Sequence, residues 1–129
     1  MLSAILGELK LCSGTTKIST NSIAYAPQTA WILNSTVREN ILFGKKYDET
    51  KYAHAIHDSC LETDINKFDC KDMTQIGERG ITLSGGQQAR LALARLLYAN
   101  SQILILDGVL SAVDHQVASH IIDHALLKH

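Results

Sequence analysis

Leu83-Ser84-Gly85-Gly86-Gln87 opens the run from Gln88 to Ala99, in which alanine, leucine and arginine dominate. Those residues favour helix, so the five letters fall at a helix N-terminus. There the unpaired N–H groups and the positive end of the dipole favour an anion such as phosphate. Two consecutive glycines let the backbone approach that anion more closely than any Cβ would permit. Farther on, Ile103-Leu104-Ile105-Leu106-Asp107 is an apolar run ended by a carboxylate. Such a run predicts a parallel strand covered on both faces. An aspartate at its carboxyl end stands where open parallel sheets place their ligand sites.

Size and composition set the frame around these two stretches. At 129 residues the chain is expected to be one domain with a modest core, or a piece of a larger one. Twelve basic residues against thirteen acidic ones leave no net field to draw the chain to nucleic acid or anionic lipid. No apolar run approaches the length that spans a bilayer, since Arg95 breaks the Leu91–Leu97 run. The first residues lack the charged-then-apolar layout of a secretion signal. Cys12, Cys60 and Cys70 show no CxxC spacing and are expected to be ordinary thiols in a reducing compartment.

The rest of the chain alternates helical and strand signals. Leu2 to Leu9 is expected to be the end of an amphipathic helix with Gly7 inside it. Gly14 to Tyr25, rich in Thr, Ser and Ile, suggests short strands divided by Thr20-Asn21-Ser22. Pro27 then closes the strand, because it cannot donate to a ladder. Thr36 and Glu39 have capping-box spacing and start a short helix that Gly44 ends. A second helix begins near Asp48, with Tyr52, Ile56 and Cys60 on one face; Leu61, Ile65 and Phe68 suggest a shorter one. Asp69 to Ile81 is expected to be an exposed loop. Asn100 can end the helix after Gln87 in a left-handed cap. A last helix, from about His115, carries Val117, Ile121, Ile122 and Ala125 along one stripe. The order predicts an α/β fold.

LSGGQQARLALARLLY resembles the signature motif and helix of ATP-binding-cassette ATPases. IAYAPQTAWILNSTVRENILFG from Ile23 to Gly44, IGERG from Ile76 to Gly80 and LSAVD from Leu110 to Asp114 narrow the likeness. It is closest to the exporter type, and within it to the first nucleotide-binding domain of subfamily C, the multidrug-resistance-associated group. The resemblance runs through most of the chain, which covers only the middle of that domain. It implies a partial P-loop NTPase: a RecA-like core formed by about residues 1–34 and 98–129, with the helical subdomain at about 35–97. It implies ATP and Mg²⁺ as cofactors. Asp107 would be the Walker B carboxylate, holding Mg²⁺ through water, and Gln28 the Q-loop residue beside metal and attacking water. Ser84, Gly85, Gly86 and Gln87 would face the γ-phosphate of a nucleotide on a second domain, in a head-to-tail dimer. Asp114 would lie in the D-loop between the two composite sites, or simply cap its helix. Glu78 and the Gly77/Gly80 loop would touch transmembrane domains. The chain would thus sit on the cytosolic face, membrane-associated through its partners, with no nucleic acid involved.

Three departures accompany the likeness. G-x-x-x-x-G-K-[ST], the phosphate-cradling loop, occurs nowhere in the sequence, and neither does the upstream aromatic that would stack on adenine. No switch histidine is recognisable, for His129 follows Leu126-Leu127-Lys128 and not a strand. Gly108 replaces the carboxylate that normally follows the Walker B aspartate, and Val109 the usual proline. With no base at 108, hydrolysis at this chain's own site is expected to lose roughly 10²–10⁴ in rate, and Gly108→Glu in a longer chain to restore turnover. The leading expectation is therefore a partial ATP-binding and ATP-hydrolysing exporter domain, with the chain by itself inactive. The alternatives are a truncated non-catalytic remnant and a soluble cassette ATPase acting on nucleic acid. His120 and His124, with His115 nearby, have metal-pair spacing but no completing Cys or acid, and with His54 and His57 are expected to be partly exposed helix residues. Tyr25 and Trp31 lack the basic surroundings of a base-stacking surface.

Overall fold

A computed structural model of the chain describes residues 2–15, 17–20, 22–78 and 81–127. Asn21 of the expected turn, Gly80 of the expected membrane-domain loop and His129 lie outside the described residues. Strand β1 (Ile23–Ala26) and strand β2 (Ile103–Leu106) pair in parallel, with Ile23 opposite Ile103 and Ala26 opposite Leu106. The Asp107 N–H donates to the Ala26 carbonyl at 2.9 Å, so the ladder runs one residue past β2. A parallel pair needs a long crossover, and residues 27–102 provide it.

That crossover is helical. Helix α1 (Leu2–Ile5) precedes the sheet, and α2 (Val37–Leu42), α3 (Glu49–Asp58), α4 (Glu62–Asn66) and α5 (Gly85–Ala99) fill the connection. Thr36 caps α2 as its spacing predicts: its Oγ1 accepts from Glu39 N–H at 3.1 Å and its own N–H donates to Glu39 Oε2 at 3.2 Å. The helix unwinds through left-handed Phe43 (φ 45°), with Gly44 (φ 79°) completing the turn. Asp48 caps α3 by accepting from Lys51 N–H at 3.0 Å. Asn100 ends α5 at φ 50°, as read from the sequence. After β2 come a 3₁₀ turn (Val109–Ala112), helix α6 (His115–Ile121) and a π-turn (Ile122–Leu126).

Two apolar cores form, and α5 is the wall between them. Leu91, Ala94 and Tyr98 face Val37, Ile41, Tyr52, Leu61 and Ile65 of the preceding helices. Ala89, Leu93 and Leu96 face Ala26, Val109, Ile121 and Ala125. A helix buried on both sides must be apolar nearly all round, which explains the unbroken Leu and Ala from 91 to 94.

Several expectations are corrected here. Helix α1 ends at Ile5, and Gly7 (φ 76°) lies beyond it. No strand precedes Ile23 among the described residues. β2 is not covered on both faces: only Ile105 in it is buried, because neither strand of the pair has a second neighbour among the described residues. The stretch 69–81 is not a free loop. Ile76 is fully buried, Lys71–Met73 form a 3₁₀ turn, and Gln75 bridges to Thr36. Ile122 leaves the α6 stripe and is exposed, since the π-turn begins there.

Asp72 pins that stretch to the helices. It accepts from Arg38 Nε at 2.7 Å and from the Tyr52 hydroxyl at 3.0 Å. Burial, and then the Asp72 charge, push the Tyr52 hydroxyl far above the ordinary tyrosine value of 10.0. The folded chain therefore keeps this proton after the unfolded chain has begun to release it. Stability should be level with respect to this group below pH 10 and fall as pH rises beyond it. Tyr52→Phe should flatten that alkaline decline, as followed by urea unfolding between pH 8 and 11.

Candidate functional site

Ser84 caps the 15-residue helix α5 from an extended backbone (φ −64°, ψ 161°). Its Oγ accepts from Gln87 N–H at 3.3 Å, while its own N–H donates to Gln87 Oε1 at 2.9 Å. This is a capping box with glutamine at N3, and it holds the first turn open at Gly85 and Gly86. A Cβ at Gly86 would lie 3.2 Å from the Ala112 carbonyl oxygen and 3.4 Å from an Arg90 guanidinium nitrogen. A side chain at 86 therefore fits only if the Ala112 carbonyl gives way by a few tenths of an ångström. At Gly85 a Cβ would meet nothing within 4 Å.

The carboxyl end of the sheet carries the second group of residues. Asp107 follows β2, and the Tyr25 hydroxyl donates to its Oδ2 at 3.3 Å. Partial burial, and then the Asp107 charge, raise the Tyr25 pKa, so the hydroxyl remains a donor at neutral pH. Gln28, on the loop after β1, lies against Gly108: its Cγ is 3.4 Å from where a Cβ at 108 would stand. The parallel pairing of β1 and β2 thus brings together Gln28, Asp107 and Gly108, far apart in sequence. Asp107 and Gln28 offer oxygen donors of the kind that Mg²⁺ prefers. Among the described residues no cluster of three His, Cys, Asp or Glu is arranged to hold a metal.

Gly108 is left-handed (φ 68°, ψ 12°), and the Ser111 hydroxyl donates to its carbonyl at 2.6 Å. A side chain in that conformation costs about 1–2 kcal/mol. Gly108→Glu should lower the melting temperature of the chain for that reason, whatever a carboxylate there adds to turnover. The expected rescue therefore starts from a backbone cost that the sequence did not reveal.

Asp114 caps α6, its Oδ1 accepting from Val117 N–H at 2.9 Å, which is the capping role foreseen for it. The turn 109–112 joins the two groups: it leaves Gly108 and reaches Gly86 through the Ala112 carbonyl. No described hydrogen bond links Ser84–Gln87 directly to Asp107 or Gln28.

Three residues escaped the sequence reading. Arg95 counted there only as an interruption of an apolar run, yet it is buried and donates to the Asn40 carbonyl at 2.7 Å, Asn40 Oδ1 at 2.9 Å and the Trp31 carbonyl at 3.3 Å. Its guanidinium carbon lies 4.2 Å from the Trp31 ring centroid. Asp64 and Arg90 form a mostly buried ion pair under the signature turn. A cation inside an apolar helical run must find partners, and that signal pointed to Arg95. For Asp64 the sequence held no comparable cue.

The histidines also group unexpectedly. His57 of α3 lies 5.1 Å from His120 and 5.6 Å from His124 between ring centroids, and the latter two stack at 4.1 Å. His120 Nε2 faces the His57 carbonyl and His124 Nδ1 the His120 carbonyl, so these nitrogens are turned to backbone oxygens. The three cysteines are free. Burial raises the Cys60 thiol, which makes it a poor nucleophile.

A family profile described as ABC transporter matches residues 1–111. Domains of that family have the P-loop NTPase fold and in general bind ATP, with Mg²⁺ as the usual partner. Mouse ATP-binding cassette sub-family C member 2 is 50% identical over 121 residues, covering 94% of this chain and 8% of its own length. Human ATP-binding cassette sub-family C member 3 is 44% identical over 126 residues, 98% of this chain and 9% of its own. ABC transporter C family member 3 of Dictyostelium discoideum is 46% identical over 121 residues, with shares of 94% and 8%. The chain spans less than a tenth of the length of these relatives. Its signature turn, its parallel strand pair and these likenesses agree: the chain belongs to the ABC transporter family, within subfamily C.

Proposed function

We propose that this chain is part of the first nucleotide-binding domain of an exporter, and that its signature turn completes an ATP site on a second such domain. Residues 1–34 and 98–129 would belong to a RecA-like core and 35–97 to the helical subdomain. The observation that carries the reading is the open first turn of α5. Ser84 and Gln87 fix it, Gly86 lies close to the Ala112 carbonyl, and a Cβ at Gly85 would stand in open space. Backbone N–H groups at the start of a 15-residue helix suit a γ-phosphate arriving on another protein.

Within this reading Asp107 and Gln28 would hold Mg²⁺, which would neutralise developing phosphate charge when bound. Tyr25 holds the Asp107 carboxylate in place through its hydroxyl. Gly108 offers no proton acceptor beside Asp107, so hydrolysis at this chain's own sheet end is slow, and the signature serves the competent site opposite. Exposed Trp31 and Phe43, in contact at 5.3 Å beside the Q-loop, present an aromatic surface suited to transmembrane-domain partners. No described helix is long and apolar enough to cross a membrane; in this reading the chain lies on the cytosolic face, against those partners.

The test is association with a hydrolysis-deficient second nucleotide-binding domain of a subfamily C relative, followed by sedimentation with ATP and with ADP. Tight association only with ATP is expected; nucleotide-independent association, or none, contradicts the reading. A second reading, a non-catalytic remnant, is favoured by Gly108. The same association experiment separates the two, since a remnant shows no ATP-dependent association.

A further inference from the structure

The signature glutamine does not point its carboxamide outward. Its Oε1 is taken by the Ser84 N–H, and its Nε2 donates to Asp64 Oδ1 at 3.2 Å. Asp64 lies on α4 and is only 7% exposed. Its other oxygen, Oδ2, accepts from Arg90 Nε at 2.8 Å and from a second Arg90 nitrogen at 2.8 Å. The same Arg90 guanidinium reaches under Gly86. One buried carboxylate thus holds both the glutamine that shapes the cap and the arginine that backs the second glycine.

A carboxylate removed from water needs compensating partners, and here both of them, Gln87 and Arg90, come from the signature helix. The dependence runs both ways. Without Asp64, Gln87 Nε2 loses its acceptor and is free to turn to solvent, taking Oε1 away from the Ser84 N–H. The first turn of α5 would then lose one half of its capping box. Charge-assisted hydrogen bonds of this kind are short and directional, which suits a group whose task is to fix geometry.

We propose that Asp64 is a positioning residue for nucleotide-dependent association: through Gln87 and Arg90 it sets the orientation of the Ser84–Gly86 backbone that faces the partner's nucleotide. The inference rests on the function proposed above. It assigns Gln87 an internal role, in place of the direct phosphate contact that the family resemblance implies. It also makes α4, a five-residue helix with no other site residue, part of the signature apparatus.

The test exchanges carboxylate and carboxamide. Gln87→Glu sets two carboxylates against each other and should weaken ATP-dependent association with the second domain by about 10-fold or more, the scale of a lost charged hydrogen bond. Adding Asp64→Asn restores a donor–acceptor pair of unchanged total charge, and the double variant should recover to within about threefold of the starting chain. A purely structural role for Asp64 predicts no such recovery in association, only shifts in melting temperature, so both are measured on each variant. Absence of recovery in a folded double variant overturns the proposal. If the double variant does not fold, Asp64→Asn alone decides: its single amide oxygen cannot accept from both Gln87 and Arg90, so a loss of about 10-fold in association is expected, and association equal to that of the starting chain overturns the proposal. Ser84→Ala and Gly86→Asp guard the underlying reading. If they leave association unchanged, the proposed function fails; if they abolish it while the exchange shows no recovery, only the role of Asp64 fails.

Discussion

Gly86→Asp is expected to reduce ATP-dependent association with the second domain by at least about 100-fold, because a like charge set against a phosphate costs several kcal/mol. Two effects act in one direction. The new Cβ lies 3.2 Å from the Ala112 carbonyl and 3.4 Å from Arg90, so either the first turn of α5 or the 109–112 turn must move. The carboxylate then occupies the positive end of the helix dipole and competes there with the incoming anion. Gly85→Ala is the informative companion. Its methyl meets nothing within this chain, so its melting temperature should stay level while association drops about 10-fold, since only close approach of a partner makes that position crowded. A Gly85→Ala chain that associates normally would show that nothing approaches this turn.

Arg95→Leu should be the most damaging single change to folding outside the aliphatic core. The substitution removes three hydrogen bonds and leaves the Asn40 and Trp31 carbonyls without this donor. Each orphaned buried acceptor costs about 1–3 kcal/mol, so a loss of about 3 kcal/mol is expected, or roughly 10 °C in melting temperature for a chain of this size. Burial lowers the Arg95 pKa, which fits a cation held by carbonyl oxygens and ring faces. Lysine should not rescue the site, because a point charge cannot serve three acceptors in the plane of a guanidinium while stacking on Trp31. The consequence reaches function: Trp31 is three residues beyond Gln28 and Arg95 lies on the signature helix, so this side chain couples the Q-loop segment to α5.

Local chemistry was legible in the sequence wherever one residue's neighbours in the chain decide its fate. Thr36, Asn100 and Asp114 act as the helix caps read from the sequence, because capping is settled within four residues. Parallel pairing of Ile23–Ala26 with Ile103–Leu106 likewise follows from strands separated by helices. Tertiary features were not legible. Ile76 is buried inside what looked like an exposed loop because Asp72 and Gln75 tie that segment to α2 and α3. The left-handed backbone at Gly108 shows in no composition count. Asp64 looked like one more acid in a short polar helix, and only the fold places it beneath Gln87 and Arg90.

Isotope labelling of the chain's glycine and glutamine amides gives the decisive readout of the signature turn. On titration with the second nucleotide-binding domain loaded with ATP, the N–H resonances of Gly85 and Gly86 should move strongly downfield. With ADP in place of ATP they should stay near their free positions, since only the γ-phosphate reaches them. Equal shifts with both nucleotides, or shifts confined to other faces of the chain, would contradict the assignment of this turn to a partner's triphosphate.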